Sequence, residues 1–320
     1  MSIDIDRRSV LSMLAASVGT AAWPGVASAQ TAAAPHYRVG VGAADAYAEP
    51  WFAKDKGFFT KALLDVELVL SGSGGNNATL VAGNALEVGV SNTANLAVAI
   101  AHGAPFTIIA GGGLYTAKNP TTAVVVAKDS PVKSAKDLVG KTVAVTALKD
   151  LTEVGVRAWL DRNGVDSKGV KFVESQMALM PPALGRGTYD AALMGEPYLS
   201  ADGGKALRVL GDAYAVLAPQ FLISNFFTTT TFYKANVPWI RRFVAVIYDT
   251  ARWANANHAE SGAIFVKEST FDAATLARMS RVEFATSLDP RYIDPVLAAM
   301  YKYEALDKKL TSADLVAKLT

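Results

Sequence analysis

The chain has 320 residues, of which 51% are apolar and 19% are charged, so it is long enough to bury the cores of two lobes. Its 31 basic and 29 acidic residues give a net charge of +2 without a basic stripe or arm, which argues against a nucleic-acid-binding protein. The chain contains no cysteine, which excludes disulfides, thiolate metal sites and cysteine nucleophiles.

Residues 1–29 are typical of an export signal rather than of a folded segment. A twin-arginine pair at positions 7 and 8 precedes an apolar stretch, residues 10–22, which is shorter than the roughly 20 residues that span a bilayer. The segment ends in the A-x-A pattern of a signal-peptidase site, so we expect cleavage near Ala29 and Gln30. The arginine pair indicates the Tat route and a periplasmic location. The alternative is a buried amphipathic N-terminal helix.

From residue 37 onward, β-branched runs alternate with helical patterns, which predicts an α/β architecture. In the first unit the predicted strands are residues 37–41, 65–70, 86–90 and 106–110, and the predicted helices are residues 50–56, 76–82 and 94–102. Three glycines at 111–113 break this pattern, and the stretch as far as Pro120 is interpreted as a connector.

A second unit begins at residue 122. Its predicted strands are residues 122–127, 142–145, 170–173, 191–194 and 206–210, and its predicted helices are residues 152–163, 177–185 and 197–201. A β-rich run at 221–233 is suited to return the chain to the first unit. After Asn236, a predicted helix cap, Trp239, Phe243 and Ile247 recur at helical spacing.

The chain therefore leaves the first unit, builds the second and returns. This order predicts lobe 1 at residues 36–116 and 225–320, with a helical C-terminal tail, and lobe 2 at residues 117–224. Two connections between lobes make a hinge, and hinge closure between lobes clamps a ligand.

Several segments resemble the nitrate/sulfonate/taurine-type solute-binding proteins of ABC importers, a family that also includes binders of thiamine pyrimidine precursors. In lobe 1 the similar segments are Trp51–Phe59 (W-F-A-K-D-K-G-F-F), Asp65–Leu68, Ser71–Gly75, Leu80–Gly83 and Leu86–Gly89. In lobe 2 they are Asp137–Val145 (D-L-V-G-K-T-V-A-V), Leu184–Ala192 and Gly195–Pro197.

The resemblance implies a type II periplasmic-binding-protein fold, with two α/β lobes joined by a two-segment hinge. It implies a receptor that gives a small-molecule ligand to an importer's permease and ATPase, acting as a monomer, without a cofactor and without catalysis. Two loops depart from the family pattern, the turn Thr146–Asp150 and the longer, more acidic loop Ala43–Glu49. Both loops are expected to face the ligand.

In open α/β sheets a ligand lies beyond the carboxyl ends of the strands, where helix N-termini present free N–H groups. The predicted ligand-binding residues of lobe 1 are Tyr47, Glu49, Trp51, Ser73, Gly74, Asn76, Ser91, Asn92 and Thr93. Those of lobe 2 are Thr146, Lys149, Thr152, Glu196 and Tyr198, with Tyr115 and Asn225 near the hinge. Helix capping or core packing is the alternative role for several of them.

The ligand class stays open at this point. Aromatic candidates favour an organic molecule over a bare inorganic ion. Lys149 and the helix ends favour an anion, so an organic sulfonate or carboxylate ranks first. Glu49 and Glu196 favour an amine-bearing or pyrimidine-like ligand, which ranks second. An enzyme or a sensor on the same fold is the remaining alternative, although no Ser/His/Asp set and no histidine metal spacing is recognisable.

Overall fold

The computed structural model describes residues 35–201, 203 and 205–317. The predicted export signal at residues 1–29 lies outside these residues. Within the described ranges, no helix combines the length and the apolar character that crossing a membrane requires.

The described strands alternate with helices over most of the chain. In chain order the strands are β1 (His36–Val41), β2 (Asp65–Leu70), β3 (Gly89–Ser91), β4 (Phe106–Gly111), β5 (Gly113–Thr116), β6 (Thr122–Ala127), β7 (Thr142–Val145), β8 (Lys171–Glu174), β9 (Ala191–Gly195), β10 (Leu207–Gly211), β11 (Gln220–Leu222), β12 (Asn225–Thr229) and β13 (Glu283–Phe284).

The helices dominate the C-terminal third. In chain order they are α1 (Glu49–Asp55), α2 (Phe58–Lys61), α3 (Gly74–Ala82), α4 (Thr93–Ala101), α5 (Leu151–Arg162), α6 (Met180–Gly185), α7 (Thr230–Ala235), α8 (Val237–Ala256), α9 (His258–Glu268), α10 (Ala273–Arg278), α11 (Asp294–Lys302) and α12 (Ser312–Leu315). Short 3-10 helices occupy Asp45–Tyr47, Ala135–Leu138, Ser167–Gly169, Met177–Leu179 and Pro290–Tyr292.

The first lobe is built on parallel and antiparallel strands in one layer. β1 pairs in parallel with β2, and a parallel bridge between Val39 and Val88 links β1 to the chain just before β3. β12 lies antiparallel between β3 and β4, so a C-terminal strand completes the N-terminal sheet. α8 covers this sheet because its apolar residues recur every three or four positions, and Phe243 and Ile247 are fully buried against it.

The second lobe is a five-stranded sheet in the order β10-β6-β9-β7-β8. β7 is parallel to both β8 and β9, whereas β6 runs antiparallel to β9 and β10. β6, β7 and β9 bury almost every side chain, which is expected for central strands with helices on both faces.

The two connections between the lobes pair with each other. β5 carries the chain out of the first lobe and β11 brings it back, and the two are antiparallel with Tyr115 opposite Phe221. β13 adds to the other side of β5. The stretch predicted as a connector, residues 111–120, thus contains β5, a strand that the sequence analysis did not predict. Its pairing partners lie more than a hundred residues away, and nothing in its local glycine-rich sequence reveals them.

Three further predictions are corrected. Residues 197–201 form turns instead of a helix, because the Glu196 side chain accepts hydrogen bonds from Ser200 N and Oγ. The run 221–233 divides into β11, β12 and α7. Asn236 does precede α8, but its side chain makes no capping bond and donates to the Phe232 carbonyl instead.

Candidate ligand-binding site

A cleft of about 640 Å³ opens at the carboxyl ends of strands from both lobes. Its walls are the segments that follow β1, β2 and β3 in the first lobe and β7, β8 and β9 in the second. This is the edge where open α/β sheets bind ligands, because helix N-termini and loop side chains converge there.

The segment after β1 places an acidic side chain in the cleft wall. Asp45 begins the 3-10 helix and is 2% exposed. Its Oδ2 accepts hydrogen bonds of 2.9 Å from both Val282 N and Arg281 Nε. Its Oδ1 is buried and has no hydrogen-bond partner within the described residues. Asp45 is therefore firmly positioned and only half satisfied.

The start of α3 forms the adjoining part of the cleft wall, and its backbone lies close to neighbouring side chains. Ser73 caps α3 by accepting a 3.1 Å bond from Asn76 N, and Gly74 follows it. A Cβ atom at Gly74 would lie 2.6 Å from Ser91 Oγ and 3.0 Å from the Tyr47 hydroxyl. Glycine at this position therefore lets the start of α3 contact both side chains.

The helix on the opposite wall is capped by a carboxylate. Asp150 precedes α5, and its Oδ1 accepts bonds from Thr152 N (2.8 Å), Thr152 Oγ1 (2.5 Å) and Glu153 N (3.3 Å). Its Oδ2 accepts a 2.8 Å bond from Thr146 Oγ1. Burial raises the pKa of Asp150, whereas these bonds lower it. The positive end of α5 is thus occupied by the chain's own carboxylate.

Glu196 connects the second lobe to the C-terminal part of the first. Its Oε1 accepts bonds from Ser200 Oγ (2.8 Å) and Ser280 N (3.3 Å), and its Oε2 accepts one from Ser200 N (3.1 Å). Burial raises the pKa of Glu196, and the nearby Asp45 carboxylate raises it further. Two carboxylates, one from each lobe, thus line the same cleft.

Neutral hydroxyl groups complete the lining. Burial raises the pKa of both Tyr47 and Tyr214, and Asp150 adds to the shift of each, so their phenols stay protonated. The hydroxyls of Thr121 and Thr122 are buried and have no partner among the described residues. These groups supply hydrogen-bond donors and acceptors inside the cleft.

The charged side chains of the described cleft lining are all acidic. Of the described residues that line it, Asp45, Asp150 and Glu196 are acidic, and none is lysine, arginine or histidine. Arg281 contacts Asp45 from behind the wall. Within the same part of the chain, no group of three or more histidine, aspartate or glutamate side chains is arranged to hold a metal ion. The chemistry of the lining suits a ligand that donates hydrogen bonds or carries positive charge.

The structure brings together part of the predicted set. The predicted residues that line the cleft are Tyr47, Ser73, Gly74, Asn76, Asn92, Thr146, Thr152, Glu196 and Tyr198. Those that lie outside the lining are Glu49, Trp51, Ser91, Thr93, Tyr115, Lys149 and Asn225.

The outlying residues have contacts that explain their places. Trp51 packs in the core with a ring-centroid distance of 6.2 Å to Phe265. Thr93 Oγ1 donates to the Leu222 carbonyl (3.0 Å) and accepts from Asn225 Nδ2 (2.9 Å), which ties α4 to the returning chain.

Three others also lie outside the cleft lining. Tyr115 donates a 2.5 Å bond to Asp212 Oδ2. Ser91 is fully buried, and its Oγ lies close to Gly74. Lys149 is exposed and is not part of the lining.

The sequence prediction missed Asp45, Asp150, Thr121, Thr122 and Tyr214, all of which line the cleft. Asp45 and Asp150 belong to the two loops whose composition departs from the family pattern, which was a usable signal. Tyr214 reaches the cleft through the packing of the segment after β10, and the local sequence gives no sign of this.

Two α/β lobes, crossed by a pair of strands and separated by a cleft at the carboxyl ends of their sheets, define the type II periplasmic-binding-protein fold. Residues 47–261 match the family model NMT1, described as NMT1/THI5 like. Since the match covers more than half of the chain, the chain belongs to the NMT1/THI5-like family.

Solved structures share this fold at low identity. The aliphatic sulphonate binding protein SsuA from Escherichia coli superposes with a TM-score of 0.73 at 18% identity, over 89% of this chain and 92% of that one. The alkanesulfonate-binding SsuA from Xanthomonas axonopodis pv. citri, bound to MOPS, gives 0.73 at 18% identity, over 89% and 99%. Identities this low show the fold alone.

A relative by sequence is the Haemophilus influenzae protein named "Putative thiamine biosynthesis protein". It is 31% identical over 141 residues, which are 44% of this chain and 43% of that protein. The chain thus matches less than half of the length of this relative.

Proposed function

We propose that the protein is a periplasmic receptor that captures a small amine-bearing molecule and delivers it to an ABC importer. The observation that carries the proposal is the cleft lining, which among the described residues contains three carboxylates and no basic side chain, although Arg281 pairs with Asp45 from outside the lining. An ammonium or amino group satisfies such a site, because a buried carboxylate is stabilised by a positive charge or by hydrogen-bond donors.

An anionic ligand, which ranks first from the sequence, has less support. Sulfonates and carboxylates are suited to free N–H groups at helix ends. Here the start of α5 is capped by Asp150, and α3 and α4 are capped by Ser73 and Asn92. Lys149, the cation that favoured an anion, is exposed and outside the lining. The sulfonates named for the SsuA proteins are ligands of those proteins, and at 18% identity they give no support to a sulfonate ligand here.

The size and lining of the cleft favour an organic molecule of moderate size. A volume of about 640 Å³ lies within the usual range of small-molecule sites. Tyr47, Tyr198, Tyr214 and Met177 supply aromatic and apolar surface beside the carboxylates. An amine or an amino-substituted heterocycle with an apolar ring uses both parts of the lining.

The proposed mechanism is binding by hinge closure without turnover. Ligand contacts from both lobes favour the closed form over the open form, and the importer responds to the closed form. The β5–β11 pair is the element at which the lobes rotate, since both connections pass through it. Export through the Tat route, with cleavage near Ala29, places this receptor in the periplasm.

A thermal-shift screen of the exported protein tests the ligand class. The probes are benzylamine and 4-aminopyrimidine, with benzenesulfonate and benzoate as anionic counterparts. A ligand at a hundred times its Kd stabilises the folded protein by about 2.7 kcal/mol, so a true ligand raises Tm by several degrees. We expect amines to raise Tm. A rise with the anions alone contradicts the proposal, and chemical conversion of a bound probe contradicts the absence of turnover.

A further inference from the structure

Asp45 has one oxygen committed to the protein and one oxygen free. Val282 N and Arg281 Nε both donate to Oδ2, which fixes the carboxylate in a single orientation. Asp45 lines the cleft and is only 2% exposed, and its buried Oδ1 has no hydrogen-bond partner within the described residues. A buried carboxylate oxygen without a donor is costly, so this oxygen marks a place where a ligand donor is expected.

The same short segment holds a second carboxylate from the other lobe. Ser280 N donates to Glu196 Oε1 at 3.3 Å, and the next two residues, Arg281 and Val282, donate to Asp45. Three consecutive residues, 280–282, thus donate to both carboxylates, and burial, together with the Asp45 charge, raises the pKa of Glu196. A positive group bound between two nearby carboxylates would offset their mutual repulsion.

Arg281 does not supply that positive group to the cleft. Its Nη1 donates to the His258 carbonyl (3.2 Å) and its Nη2 contacts Ser261 Oγ (3.5 Å), both on α9. The guanidinium is thus held behind the wall and balances one of the two charges. Glu49 lies nearby, and burial together with Asp45 raises its pKa well above the ordinary value of 4.5, which favours its neutral form.

A buried hydroxyl gives an independent sign of a ligand at this end of the cleft. Thr121 lines the cleft and is 6% exposed, and its buried Oγ1 has no hydrogen-bond partner in the described structure. Its carbonyl accepts a 2.9 Å bond from Glu196 N, which places Thr121 beside Glu196. A hydroxyl group and a free carboxylate oxygen together form a receptor for a group with several N–H donors.

We propose that Asp45 Oδ1 receives the amino or ammonium group of the ligand, with Thr121 Oγ1 beside it, and that this group links Asp45 of one lobe to Glu196 of the other. The inference rests on the proposed function and deepens it, because it names Asp45 as the residue that selects an amine. Through Asp45 and Glu196, the positive charge of the bound amine is coupled to closure of the lobes. Arg281 acts through Asp45 as a positioning residue.

Calorimetric titration of the exported protein with benzylamine and 4-aminopyrimidine, and with their neutral counterparts benzyl alcohol and pyrimidine, tests the assignment. In Asp45→Asn, one amide group of matching shape replaces the carboxylate. Because hydrogen bonds to charged groups are strong, we expect the affinity for the tighter amine to fall roughly 10- to 100-fold. Affinity for its neutral counterpart should change less than twofold.

The matched control is Glu283→Gln, which removes an exposed carboxylate adjacent to Val282 and outside the cleft lining. It should leave amine affinity unchanged. An equal loss in both variants overturns the assignment, because it makes the effect one of overall charge.

A second variant covers the case in which Asp45→Asn does not fold. Thr121→Val keeps the shape of the side chain and removes its hydroxyl, and it should weaken amine binding roughly 2- to 13-fold with little effect on the neutral probe. If Asp45→Asn and Thr121→Val both bind the amine as tightly as the wild type does, this inference is overturned and the proposed function stands. If the wild type binds neither amine, the proposed function fails with it.

Discussion

The Ser280 amide donates a 3.3 Å hydrogen bond to Glu196 Oε1, and this bond links the end of β9 in the second lobe to the segment after α10 in the first. Two further contacts accompany it. Arg278 Nη2 donates to the Ser200 carbonyl at 3.2 Å, and the rings of Tyr198 and Phe271 meet edge to face at 5.1 Å. The lobes are therefore in direct contact on one side of the cleft.

The first prediction concerns this contact. Glu196→Ala removes the acceptor for Ser280, and a hydrogen bond of this kind contributes about 0.5–1.5 kcal/mol. We expect the ratio of open to closed molecules to rise about 2- to 13-fold. Small-angle X-ray scattering without ligand should therefore give a larger radius of gyration than for the wild type.

The control for this variant is Glu174→Ala, which removes a carboxylate that bonds Leu148 N within the second lobe. Its radius of gyration should equal that of the wild type. If Glu196→Ala also leaves the radius unchanged, the Ser280 bond has no part in closure.

The second prediction concerns the close approach at Gly74. Gly74→Ala forces a Cβ to within 2.6 Å of Ser91 Oγ and 3.0 Å of the Ser91 Cα, so we expect a loss of about 1–3 kcal/mol in the free energy of unfolding. It should also displace the Tyr47 hydroxyl and weaken ligand binding.

Gly75→Ala is the matched control on the same helix. The nearest atom to its Cβ is Ser73 Oγ at 3.9 Å, so the substitution should stabilise α3 by about 0.5–1 kcal/mol. Urea unfolding of both variants measures the difference. Equal stability of the two variants contradicts the packing described for Gly74.

The third prediction concerns the buried acid Glu49. It is 0% exposed, and neither oxygen has a partner within the described residues. Burial raises its pKa well above 4.5 in the folded protein. The folded state therefore holds a proton that the unfolded state releases, and the associated stability, present below pH 4.5, is lost as pH rises through the folded pKa.

Glu49→Gln removes this titration. Relative to the wild type, its free energy of unfolding should improve as pH increases from 5 to 8, by at most about 1.4 kcal/mol per pH unit. Urea unfolding at each pH provides the measurement, and Glu304→Gln, on the exposed surface, controls for the loss of one carboxylate. A constant difference across this pH range is the result that excludes a buried, protonated Glu49.

The fourth prediction concerns export. Replacing the arginines at 7 and 8 with lysines should leave the unprocessed chain in the cytoplasm, because the Tat route reads the arginine pair. Fractionation followed by mass spectrometry of the periplasmic protein gives both its location and its first residue, which is expected to be Gln30. Normal export of the lysine variant would instead indicate the Sec route.

Local patterns were sufficient for much of the fold. β2, β6 and β7 match their predicted bounds because alternating or continuous β-branched residues mark them, and α8 matches its apolar spacing. β5 was missed because its stability comes from pairing with β11 and β13, which are distant along the chain. Long-range pairing leaves little trace in a four-residue segment.

The site residues were likewise predicted where a local pattern marks them and missed where long-range contacts decide their role. Ser73 and Asn92 were found because residues that cap helices at the ends of strands are visible in the sequence. Asp45 was not, because its importance depends on which donors reach each of its oxygens in the folded chain. The preference for an anion came from Lys149, and only three-dimensional packing decides that it lies outside the cleft lining.

The central claim is that two lobes close around an amine, and a scattering titration of the exported protein tests it directly. The tighter of benzylamine and 4-aminopyrimidine is added until binding saturates, and benzenesulfonate is added in a parallel series. The account predicts that the radius of gyration falls with the amine, along the same curve as the binding isotherm, and stays constant with benzenesulfonate. Compaction by benzenesulfonate, with no change on saturation by the amine, would contradict it.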